Sequence, residues 1–206
     1  MAQSLAQAGS DIVIADLDLE TAKQTADWLT SEGGRTLAVR VDVTDPADVD
    51  KMTDEILSKL GRIDVLFNNA AMAYFNLIED ISDEEWATDR RNEVDLVFYL
   101  TRAAWPQLKK NHGVIVNMAS LNASLSFKLL PSLAHSTFKA GIIAMTRQLA
   151  VEGREYGIRA NSISPGVIET NQTREQLKDP EWAGSMLGKT LLEGLGGSER
   201  GSLSGF

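Results

Sequence analysis

The chain has 206 residues, 43% of them hydrophobic and 24% charged, which are the proportions of one ordinary globular domain. A formal charge of -9 argues against nucleic acid or an anionic membrane surface as a partner, since both are held by clustered Lys and Arg. With no cysteine, disulfides, thiolate nucleophiles and thiolate metal sites are excluded.

The opening MAQSLAQAGS lacks the basic start and apolar run of a secretory signal, and no stretch approaches the roughly 18 apolar residues of a membrane span. A cytoplasmic protein without a membrane partner is therefore expected. Along the chain, short apolar runs alternate with longer segments of helical spacing, the pattern of parallel strands joined by crossover helices. Met1 to Ala8 reads as helix and Asp11 to Ala15 as strand. Leu19 to Glu32 follows as a helix stopped by Gly33 and Gly34, then Thr36 to Val43 as strand. Pro46 to Leu60 is a helix with Asp45 as its cap and Gly61 as its end. Asp64 to Phe67 is a strand, Asp83 to Lys110 one long helix, Gly113 to Met118 a strand, Ser132 to Tyr156 a helix and Gly157 to Ile163 a strand. Each strand is apolar enough for burial on both faces. The expected fold class is α/β, a doubly wound parallel sheet flanked by helices. Residues 1–192 are expected to form one domain, and the Gly- and Ser-rich residues 193–206 a disordered tail.

The run DIVIADLD puts Asp16 at the carboxyl end of a strand, where dinucleotide-binding folds place an acid that accepts hydrogen bonds from the adenosine ribose and disfavours a 2'-phosphate. The competing reading is that Asp16 or Asp18 simply caps the next helix. Further motifs follow in order: VDVTD with Asp42 and Val43, GRIDVLFNNAA around Asn68, Asn69 and Ala70, VNMAS around Ser120, AHSTFKAG around Lys139, and IRANSISPGVIET around Pro165.

In this order and spacing they resemble the short-chain dehydrogenase/reductase family, whose patterns are NNAG, a strand-end Ser, Tyr-x-x-x-Lys and PG-x-x-x-T. The resemblance spans Met1 to Leu192 and implies a Rossmann-like sheet, an oxidoreductase moving hydride between NAD(P)(H) and an alcohol or carbonyl, and a homodimer or homotetramer. It implies NAD rather than NADP as cofactor. Cofactor contacts would come from Asp16, Asp42, Val43, Asn68, Ala70, Lys139, Pro165, Gly166, Val167 and Thr170. Ser120 would hold the substrate oxygen and Lys139 the nicotinamide ribose.

Three departures stand out. The family's Tyr, four residues before Lys139, is His135, an imidazole that exchanges protons near pH 6.5. The family's helix Asn aligns with Glu93, which either holds the family's relay water in its place or is simply a solvated charge, the latter being favoured, with Asn92 one residue early. A glycine-rich phosphate turn between a first strand and its helix is not among these residues. In the family's strand order that first strand is central, so its loss would leave the Asp11 and Thr36 strands facing the Asp64 strand across a gap, and a closed-up sheet, a compensating subunit or marginal folding is expected; a last strand is also missing from the pattern. A catalytically silent, binding or oligomerising family member is the alternative function. Val94, Leu96, Val97, Phe98 and Leu100, with the Ile142 to Leu149 face, are candidate oligomer contacts, with buried monomer core as the competing reading.

Overall fold

A computed structural model describes residues 2–168 and 173–188. In chain order the elements are α1 (Ala2–Gln7), β1 (Asp11–Asp16), α2 (Leu19–Ser31), β2 (Arg35–Arg40), α3 (Pro46–Leu60), β3 (Val65–Asn68), α4 (Asp83–Arg90), α5 (Leu96–Asn111), β4 (Val114–Met118), α6 (Leu133–Gly153), β5 (Arg159–Ile163) and α7 (Pro180–Leu187). A π-helical turn, Arg91–Asp95, separates α4 from α5.

Local chemistry explains most boundaries. Asp18 accepts hydrogen bonds from the backbone N–H groups of Glu20 and Thr21 and so opens α2, while Asp45 and Pro46 start α3. Gly61 closes α3 in the left-handed region at φ 79°, which a side chain would resist. Ser82 and Glu85 form a reciprocal capping box at the start of α4.

Three elements differ from expectation. The long helix from Asp83 is broken by the π turn, where an extra residue per turn shifts every later side chain around the axis. The strand beginning at Thr36 ends at Arg40, because the Asp42 carboxylate turns the chain by accepting from the N–H and hydroxyl of Thr44. α7 has no counterpart in the sequence reading; Asp179 caps it.

The strands form two sheets, one of order β1-β2 and one of order β3-β4-β5. β1 and β2 run parallel, with Asp11 opposite Arg35 and Asp16 opposite Arg40. Among the described residues, no ladder joins the two sheets, so the expected closing-up of the sheet across the gap does not occur. The strands are less buried than expected: Val65 in β3 is 44% exposed, since an edge strand has a neighbour on one side only.

The chain groups into two compact units. The first comprises residues up to Asn68, then Asp95–Ile115 and Glu152–Arg159; the second comprises Asn69–Val94, Val116–Val151 and the described residues from Ala160 onward. In the first unit Ala6, Ile12 and Leu29 form a buried cluster with Leu5 and Ile14 against it. Burying a side chain such as Leu29 contributes about 2 kcal/mol.

Candidate active site

The site lies within the second unit and is built on the end of β4. Ala119 N–H donates to the carbonyl of Ile163 at 2.8 Å, which ties the β4 end to β5. Ser120 follows in extended conformation, and its Oγ accepts from the N–H of Asn122 at 3.2 Å, opening a 3-10 turn over Leu121–Ala123. Leu121 N–H donates to the carbonyl of Pro165 at 3.2 Å, and a Cβ on Gly166 would stand 3.4 Å from the Leu121 side chain. Pro165 and Gly166 are thus held beside Ser120. Asn122 donates to the Ser132 hydroxyl at 2.9 Å, and Ser132 bonds Ser136 at 3.1 Å. This buried chain joins the turn to the start of α6.

α6 places His135 and Lys139 four residues apart, hence on one face. Lys139 is 5% exposed. Its Nζ donates to the carbonyl of Met118 at 3.0 Å and lies 3.6 Å from Glu93 Oε1. Burial pushes the Lys139 ammonium below the usual lysine range, and the Glu93 carboxylate opposes that shift. His135 Nδ1 lies 2.7 Å from the same Glu93 oxygen, and the Phe75 ring packs on the imidazole at 5.3 Å between centroids.

Glu93 is 1% exposed. It is carried by the π turn, and its second oxygen is buried without a hydrogen-bond partner. Asp89, four residues earlier and also buried, accepts from Tyr74 N–H at 2.9 Å. Burial raises the Asp89 carboxyl above its ordinary range; the Tyr74 amide works against this, Glu93 reinforces it and His135 opposes it. Two acids from one helical segment therefore face two bases from another. An imidazole and an ammonium held on one carboxylate, with the ammonium bonded two residues before the Ser120 hydroxyl, are groups that can orient an alcohol or carbonyl oxygen and exchange its proton.

The enoyl-(acyl carrier protein) reductase family model matches residues 1–200. The chain belongs to the short-chain dehydrogenase/reductase family. An indene-carboxyl-CoA reductase of Mycobacterium tuberculosis is 40% identical over 165 residues, 77% of this chain and 61% of that protein. A solved 7α-hydroxysteroid dehydrogenase, complexed with NADH and 7-oxo glycochenodeoxycholic acid, matches with a TM-score of 0.87 at 29% identity, over 95% of this chain and 76% of that one. A gluconate 5-dehydrogenase from Burkholderia cenocepacia, complexed with NADP and tartrate, matches with a TM-score of 0.83 at 28% identity, over 89% and 71%.

Of the residues that the family pattern picks out, the second unit holds Ser120, Pro165 and Gly166 around one turn, with Lys139 bonded to the Met118 carbonyl two residues before Ser120 and His135 joined to Lys139 through Glu93. Val167 is half-buried just beyond, Ala70 is exposed past the end of β3, and Thr170 lies outside the described residues. In the first unit, Asp16 ends β1 with one oxygen accepting from Asp18 N–H at 2.9 Å. Asp18, not Asp16, is the helix cap. Asp42 and Val43 sit in the turn before α3, where the Thr44 bonds hold the Asp42 carboxyl below its usual range. Asn68 is 2% exposed and donates to the Thr101 hydroxyl at 3.3 Å, a contact that supports the end of β3.

One expectation is corrected. Glu93 is not a solvated charge, because the π turn rotates it inward onto His135 and Lys139. Among the apolar residues with two readings, Leu96, Val97, Leu100 and Ile142 are buried within the chain as core, whereas Phe98 is 47% exposed. Asp89 and Phe75 are the site residues that sequence reasoning missed, as it missed the contacts of Glu93 with His135 and Lys139. A signal was present: Asp89 and Glu93 are spaced i,i+4, as are His135 and Lys139, which matches an acidic face to a basic one.

Proposed function

We propose that the chain is an oxidoreductase that interconverts a secondary alcohol and its carbonyl with a nicotinamide cofactor, NAD in preference to NADP. The observation that carries this is the shared Glu93 oxygen: it holds His135 and Lys139 together while Lys139 grips the Met118 carbonyl, two residues before Ser120. In this reading Ser120 donates to the substrate oxygen and His135 takes the hydroxyl proton on oxidation and returns it on reduction.

Within each unit, the donors and acceptors suit one end of the cofactor. Lys139 carries three N–H donors, of which Met118 takes one and Glu93 draws another, so one remains for a ribose hydroxyl. Asp16 is exposed and has one carboxylate oxygen beyond its bond to Asp18, suited to a ribose diol and repelling a 2'-phosphate. Pro165, Gly166 and Val167 would orient the nicotinamide amide, with Thr170 completing that segment. When bound, the nicotinamide supplies or receives the hydride. Assembly as a homodimer or homotetramer in the cytoplasm belongs to the same proposal.

The test is nicotinamide absorbance with a panel of secondary alcohols. His135→Phe, which keeps an aromatic ring against Phe75, is expected to lower turnover by about a hundredfold or more; unchanged turnover would overturn the proposal. Asp16→Ser is expected to weaken NAD about tenfold, the loss of one charge-assisted hydrogen bond, and to narrow the preference over NADP. Equal affinities in wild type would refute the cofactor choice. Light scattering at several concentrations checks the oligomer, and a monomer throughout would exclude it.

A further inference from the structure

We infer that Glu93 is a positioning residue that holds His135 by its Nδ1–H and leaves Nε2 as the atom that exchanges the substrate's proton. The inference rests on the proposed reaction but concerns a residue the family pattern gives as Asn, so it does not follow from the resemblance.

An ionised carboxylate can only accept hydrogen bonds. With Glu93 as a carboxylate, the 2.7 Å contact to its Oε1 makes Nδ1 the donor, and a neutral imidazole then has its lone pair on Nε2. A buried acid that selects the tautomer of a catalytic imidazole, and steadies the charge that forms on it, is an established way of making histidine an effective base.

Three observations set this apart from an ordinary buried ion pair. Glu93 Oε2 is buried with no partner, a cost of about 1 to 3 kcal/mol that a side chain serving stability alone would not retain. The π turn at Arg91–Asp95 is what brings Glu93 to the imidazole, and such turns concentrate at functional sites because they too cost stability. Phe75 packs on the ring, which limits its reorientation. Among the described residues, the other charged groups facing the pair are Asp89 on α4 and Lys139 on α6.

The balance of the step is simple. On oxidation the carbinol C–H leaves as hydride to the nicotinamide, the O–H bond's electron pair becomes the second bond of the carbonyl, and the hydroxyl proton passes to Nε2. Glu93 stays a carboxylate throughout. The imidazolium then returns its proton to water.

Imidazole nitrogen-15 NMR at alkaline pH reads the tautomer directly, with no cofactor or turnover needed. The chain has two histidines, so the spectrum of His135→Asn assigns both. The wild type is expected to show His135 protonated at Nδ1. Glu93→Leu is expected to release the ring to the Nε2–H form and to lower kcat about a hundredfold with KM within about threefold. Glu93→Gln, whose amide oxygen can still accept from Nδ1, is expected to keep the Nδ1–H form and to recover part of kcat. A wild-type His135 protonated at Nε2 overturns the inference, as does a Glu93→Gln protein that loses the Nδ1–H form. If no alcohol is turned over by any variant, the proposed reaction fails while the tautomer still decides the role of Glu93.

Discussion

Asp89 shows how a single buried acid shapes the stability of this chain. Its folded carboxyl is raised, first by burial, so the folded state binds its proton more tightly than the unfolded state does. The sign follows: ionised Asp89 weighs against folding above that raised value, and the penalty fades as pH falls until both states are protonated. Asp89→Asn keeps an acceptor for Tyr74 N–H and removes the charge. It is expected to raise the melting temperature at pH 8 by about 2 to 4 °C, roughly the effect of 1 kcal/mol in a chain of this size, with the gain vanishing toward pH 4. Melting curves across that range check it, and a loss at pH 8 would show that the charge is compensated. Residue identities were the most legible part of the site: Ser120, Lys139 and Pro165 stood out by motif and order. Glu93 did not, since an isolated acid in a polar stretch such as RRNEVD reads as solvent-facing unless its partners are known.

Among the elements, those with side-chain caps were readable and those set by backbone crowding were not. α2 and α3 carry Asp18, Asp45, Pro46 and Gly61 at their ends, and each announces a boundary. The π turn has no such marker, because its five residues RNEVD are compatible with a continuous helix. Ser82→Ala removes the hydroxyl that accepts from Glu85 N–H and is expected to cost about 1 kcal/mol, measurable by denaturant unfolding. Gly113→Ala is expected to cost more, about 1 to 3 kcal/mol. Its Cβ would lie 2.8 Å from the Asp64 carbonyl oxygen, a backbone atom already bonded to Val114 N–H and unable to move aside. A stability unchanged from wild type would mean that the α5 to β4 connection is softer than its geometry implies.

For the whole molecule, 29 acidic residues stand against 20 basic ones, so self-repulsion opposes compaction and added salt screens it. Raising ionic strength from about 0.01 to 0.15 M is expected to lift the melting temperature by a few degrees; a fall would point to attractive pairs such as Arg35 with Asp11 outweighing the repulsion. The alternation of strands and helices was legible across the chain, whereas the grouping into two units was not, because it depends on which distant segments meet. That grouping has a practical outcome. Each unit is assembled from three stretches of sequence that alternate along the chain. Nicking the backbone once, at Asn68 or anywhere else, can free neither unit intact, so half-length pieces should complement one another on mixing but not survive alone.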